Sequence, residues 1–169
     1  MNGKNAWNTY DDADLSKLEQ LAASYKEFLN NGKTERECVS YVAKEAGKEG
    51  FIDLAQAIRE NRSLKAGDRV YYSNMGKSLF LAVLGERPME DGLKIIGAHI
   101  DSPRLDLKQN PLYEEAGLAY LDTHYYGGIK KYQWVALPLA LHGTVAKRDG
   151  SVIHVCIGER EEEQVFGVT

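Results

Sequence analysis

Potential chemistry is most concentrated where the apolar run Leu93 to Ala98 ends in His99-Ile100-Asp101-Ser102-Pro103. Imidazole is a good zinc ligand, and a metal-bound histidine usually donates its second ring N–H to a carboxylate that fixes tautomer and orientation. Side chains two residues apart on a strand point the same way, so Asp101 can share a face with His99. The spacing therefore offers His99 as a metal ligand and Asp101 as the carboxylate that orients it for catalysis. A three-residue pattern is also compatible with a plain polar pair at the end of a loop.

Other candidates fit simpler roles. Glu161-Glu162-Glu163, with Asp122 as a bridging carboxylate, could imitate the base and ligand glutamates of a metallopeptidase, but Glu159-Arg160 and Gln164 around it describe a solvated charged turn. Gly76-Lys77-Ser78 resembles the end of a phosphate loop. That loop needs a glycine where Tyr71 stands and a helix where an apolar strand pattern follows. His124, His142 and His154 show no ligand spacing and read as surface or packed residues. Cys38 and Cys156 lie in apolar-periodic segments without a Cys-x-x-Cys pair and are expected to be buried reduced thiols. The tyrosines from Tyr113 to Tyr132 suit a core and an interface equally.

The elements that must position these groups differ between the two halves. Leu15, Leu18, Ala22, Tyr25, Phe28 and Leu29 form one helical stripe, opened by Asp11-Asp12 and stopped by Asn30-Asn31-Gly32. Thr34-Glu35-Arg36-Glu37 is a capping box for a second helix, with Gly47 as candidate C-cap. Arg69 to Ser73 and Leu79 to Leu84 flank Asn74-Met75-Gly76-Lys77 as a hairpin, and Leu93 to Ala98 reads as a strand buried on both faces that delivers His99 and Asp101 at its C-terminal end. In open α/β sheets that end is where ligands bind. From Leu105 onward the pattern is all β: alternation at Leu105 to Lys108, a tyrosine-rich stretch broken by Gly127-Gly128, and a second hairpin about Lys147-Arg148-Asp149-Gly150.

Composition narrows the partners. At 169 residues with 43% apolar and 27% charged residues, the chain has the make-up of a globular domain. A net charge of −4 argues against nucleic acid, which needs a basic face. The longest apolar stretches fall short of the ~20 residues of a membrane helix. Met1-Asn2-Gly3-Lys4 lacks the apolar core of a signal peptide, so a cytoplasmic location is expected. The apolar ending at Val165 to Thr169 reads as the edge of a longer polypeptide.

Ile95 to Leu105, containing Gly97-Ala98-His99-Ile100-Asp101-Ser102-Pro103, resembles the first metal-site motif of the aspartyl-aminopeptidase family of zinc exopeptidases, written G-A-H-x-D-S-P. The two helices and the hairpin at Asn74 to Ser78 agree with that family upstream, and Tyr126-Gly127-Gly128 followed by Trp134 is similar to its Y-G-G and tryptophan downstream. Val135-Ala136-Leu137-Pro138-Leu139 stands where the family often has F-D-R-D-L, which points to a divergent bacterial branch.

The resemblance implies an α/β fold: the N-terminal part of an α/β/α zinc-exopeptidase domain over residues 1–102, followed by the start of an inserted β-rich dimerisation domain over 103–169. It implies a two-zinc aminopeptidase acting on peptides, with His99 on one metal, Asp101 orienting it, and homo-oligomers formed through the β-rich part. A bridging aspartate, a glutamate pair that includes the general base, and a distal histidine would follow after Thr169, leaving this portion inactive by itself. The competing expectation is a catalytically inactive assembly module that uses the β-rich half.

Overall fold

The computed structural model describes residues 5–168. By its internal contacts the chain divides into two compact units at Ala98/His99.

The first unit is built on local signals. Helix α1 (Asp12–Asn31) starts where the Asp11 side chain accepts the Asp14 N–H and ends where the Gly32 N–H reaches the Phe28 carbonyl. The capping box forms as expected: Thr34 accepts from Glu37 N–H while the Glu37 carboxylate accepts from Thr34 N–H, opening α2 (Glu35–Lys48). Gly47 is not the cap. The helix runs one residue past it, and Gly50, at φ +80°, takes the left-handed position that a glycine adopts without steric cost. The apolar stripe of α1 meets α2 through the edge-on pair Phe28–Tyr41, yet no residue of α1 is fully buried.

Strand β1 (Ile52–Asp53) leads directly into α3 (Leu54–Arg59), capped by the Asp53 carboxylate; sequence periodicity had placed no element there. β1 runs parallel to β2 (Arg69–Asn74), which pairs antiparallel with β3 (Ser78–Val83). The hairpin turn places Met75 at φ +54° and Gly76 at φ +65°, the left-handed pair that tight hairpins require. Cys38, Val39, Ala46, Ala57 and Val70 form the core between helices and sheet. Cys38 is thus buried as expected, and its thiol donates to the Gly32 carbonyl at 3.4 Å.

The segment Leu93 to Ala98 departs from expectation. It joins no sheet among the described residues, and Ile95 and Ile96 are 82% and 99% exposed. A strand buried on both faces needs a partner strand at each edge and covering layers above and below; the described residues supply neither to this segment.

The second unit consists of two hairpins. β4 (Arg104–Glu115) and β5 (Leu118–Tyr126) turn at Ala116 and Gly117, both at positive φ, and the ladder shifts register between Leu107 and Leu112, around Pro111, which has no N–H to donate. A short helix, α4 (Lys131–Trp134), precedes β6 (Leu141–Ala146) and β7 (Val152–Ile157), which pair about the expected Asp149-Gly150 turn. No described residue of this unit is fully buried. Cys156, expected inside, is exposed, because a two-stranded ribbon leaves one face of each strand uncovered. The mixed α/β fold class is borne out.

Candidate metal centre

His99 and Asp101 meet as their spacing predicts, although not on a strand. The His99 Nδ1 lies 2.9 Å from the Asp101 backbone carbonyl oxygen and 3.2 Å from its carboxylate Oδ1. Both neighbours are acceptors, so Nδ1 carries the proton and donates, and the lone pair of the neutral ring sits on Nε2. The His99 side chain is 83% exposed, so packing does little to hold the ring and Asp101 does most of it.

The second carboxylate oxygen of Asp101 is also engaged. Tyr126, the last residue of β5, donates its hydroxyl to Oδ2 at 3.0 Å. The Tyr126 hydrogen bond is the main cause that holds the Asp101 carboxyl below the usual carboxylate range, with its own backbone N–H next and His99 after that. Tyr126 reaches this place because β4 and β5 pair Arg104 with Tyr126, and the Arg104 guanidinium lies 4.1 Å from the centre of the tyrosine ring. Arg104 in turn donates from Nε to Asp106 at 2.7 Å. Immediately after Tyr126 the chain turns at Gly127, φ +72°, where the position of an added Cβ is 3.5 Å from Pro103. The His-x-Asp-Ser-Pro and Tyr-Gly-Gly segments, 25 residues apart at Asp101 and Tyr126, therefore form one structure. Sequence reasoning missed the Tyr126 hydroxyl; the one available signal was the Tyr-Gly-Gly break, whose glycine at positive φ ends the strand beside Pro103.

The remaining candidates do not converge on His99. Asp122 pairs with Lys108 at 3.0 Å, His124 faces Asp106 at 3.9 Å, and His142 faces Glu159 at 2.9 Å. Glu163 closes its own turn: its carboxylate accepts the backbone N–H groups of Gly158, Glu159 and Arg160 at 2.7, 3.1 and 3.4 Å. Among the described residues no group of three or more His, Cys, Asp or Glu side chains could hold a metal ion. The donor set thus fits one zinc ligand, Nε2 of His99, together with its orienting carboxylate, and does not fit a closed site.

Those turn contacts, the Gly158 N–H first, lower the Glu163 carboxyl from its ordinary value of 4.5. A carboxyl depressed in the folded state contributes stability that is complete above its unfolded value and lost as pH falls through the folded one. In an acid titration followed by amide NMR, the Gly158 and Glu159 signals should therefore move below pH 4.5 and stay fixed in Glu163→Gln. An inflection above that value would contradict the turn's hydrogen bonding.

Residues 28–166 match the family described as aminopeptidase I zinc metalloprotease, M18. A probable M18 family aminopeptidase 1 of Clostridium acetobutylicum is 54% identical over 98% of this chain, and its crystal structure superposes with a TM-score of 0.82. The crystal structure of aminopeptidase I from Borrelia burgdorferi is 39% identical over 97% of the chain with a TM-score of 0.87. That of the M18 aminopeptidase from Thermotoga maritima is 38% identical over 99%, with a TM-score of 0.85. The chain spans 36%, 40% and 35% of those three proteins respectively.

Proposed function

The chain belongs to the M18 family of zinc metalloproteases, and on that premise we propose that it is the His-x-Asp-bearing portion of a zinc aminopeptidase that removes N-terminal residues from peptides. One observation carries the reading: His99 is held through Nδ1 by Asp101 while Nε2 makes no hydrogen bond to the described residues. This is the arrangement in which a histidine serves as a metal ligand. His99 offers Nε2 to one of two zinc ions, and Asp101 keeps the proton on Nδ1 and the ring in place. Zinc, when bound, activates the attacking water and polarises the scissile carbonyl. The other ligands and the general base belong to the part of the enzyme that the relatives have and these 169 residues do not span.

Residues 103–169 begin a β-rich dimerisation domain in this reading. In support, its ribbons expose Leu112, Leu118, Val145 and Val152, with no covering layer among the described residues. Edges and faces of that kind associate. The chain by itself should sediment as an oligomer or self-associate with concentration, and a stable monomer at high concentration would count against the assignment. No helix among the described residues is long and apolar enough to cross a membrane. We place the enzyme in the cytoplasm, where the buried Cys38 thiol, held against the Gly32 carbonyl, stays reduced.

Activity tests the central proposal. The purified 169-residue chain should not turn over aminoacyl-nitroanilides, since one ligand cannot hold a two-metal centre. The longer polypeptide that contains it should do so with zinc and stop on chelation. Turnover by the chain alone would bring Glu162 or Glu163 back as a base and overturn the division of the site.

A further inference from the structure

We propose that Tyr126 is a positioning residue for the metal site: its hydroxyl fixes the Asp101 carboxylate so that Oδ1 faces His99, and Arg104 clamps the tyrosine ring that does so. The proposal rests on the reading of His99 as a zinc ligand, and concerns how that ligand is held before any metal arrives.

The geometry is a chain of contacts ending at the ligand. Asp106 holds the Arg104 Nε at 2.7 Å, and the guanidinium stacks on Tyr126 at 4.1 Å. The Tyr126 hydroxyl donates to Asp101 Oδ2 at 3.0 Å, and Oδ1 accepts from His99 Nδ1 at 3.2 Å. A carboxylate has one torsion that exchanges or displaces its oxygens. With Oδ2 tied to a hydroxyl on a paired strand, that torsion is fixed, and Oδ1 is left facing the imidazole. Without the hydroxyl, Asp101 can swing to solvent, where its side chain is already 38% exposed. The ring then keeps only the Asp101 backbone carbonyl at 2.9 Å.

The hydroxyl, not the ring, is the active part. Tyr126→Phe keeps the Arg104 stack and the β4–β5 ladder while removing the hydroxyl that donates to Oδ2. The arrangement also explains why the hairpin ends where it does: Tyr126 closes the ladder opposite Arg104, and Gly127 turns the chain away beside Pro103.

The test is the tautomer of His99, read from its ring nitrogen NMR shifts in the zinc-free 169-residue chain at about pH 8.5, above the ordinary imidazole range. In the parent sequence, Nδ1 should carry the proton. In Tyr126→Phe the population should become mixed, and Asp101→Asn should shift it as well. Because Tyr126 acts through Asp101, the double variant should resemble Asp101→Asn alone, the non-additivity expected of residues in one network. A tautomer unchanged in Tyr126→Phe would mean that the backbone carbonyl alone holds the ring, and would overturn the proposal. Additive shifts in the double variant would also overturn it, because Tyr126 would then act independently of Asp101. No metal enters these measurements, so their outcome is separate from whether His99 binds zinc, which His99→Ala decides.

Discussion

Replacing His99 with alanine in the zinc-loaded, full-length enzyme should remove one zinc and abolish peptide turnover while the fold persists. His99 packs against little, with its side chain 83% exposed, so the substitution opens no cavity and, among the described residues, breaks only the contacts with Asp101. The loss should exceed the 10–100-fold that typically follows removal of a group supporting a ligand, because in the proposed site the ligand itself goes. Metal analysis and steady-state kinetics on the folded variant check this. If the pair merely closed a loop, zinc content and rate would be retained with a small change in stability.

Asp101→Asn should be milder. The amide keeps the shape but loses the charge that raises imidazole basicity. The shorter of the two His99 contacts, 2.9 Å, is to the Asp101 backbone carbonyl, which the substitution leaves in place. The expected loss in zinc affinity and in kcat/KM therefore sits near the lower end of the range for such partners, about 10-fold. Excess zinc should restore part of it. A loss as large as that of His99→Ala would mean that Asp101 touches the reacting groups itself.

What the sequence revealed was whatever is encoded locally. The Thr34–Glu37 box and the Asp149-Gly150 turn each depend on residues three or fewer apart, and both formed as read. His99 and Asp101 are two apart and met for the same reason. Elements set by tertiary neighbours were harder. Leu93 to Ala98 carries the apolarity of a buried strand, but apolarity does not supply partner strands, and the segment joins no sheet of the described residues. The hairpin at Ala116-Gly117 went unread because alanine rarely takes φ +53°, so the turn has none of the usual Asn-Gly or Asp-Gly signal. Cys156 alternates like a core residue, yet no layer of the described residues covers its ribbon, and alternation shows a face without showing what lies against it. Tyr126 was visible as part of a motif, while its hydrogen bond to Asp101 depends on strand pairing that no local pattern specifies.

The central claim is that His99 binds zinc through Nε2 while Asp101 holds Nδ1. Anomalous diffraction at the zinc edge, from crystals of the zinc-loaded, full-length enzyme that contains this chain, tests it most directly. The account predicts a zinc peak about 2.0–2.1 Å from the Nε2 of His99, with Nδ1 still against Asp101. Zinc bound at Nδ1, or both zinc peaks lying away from His99, would contradict it.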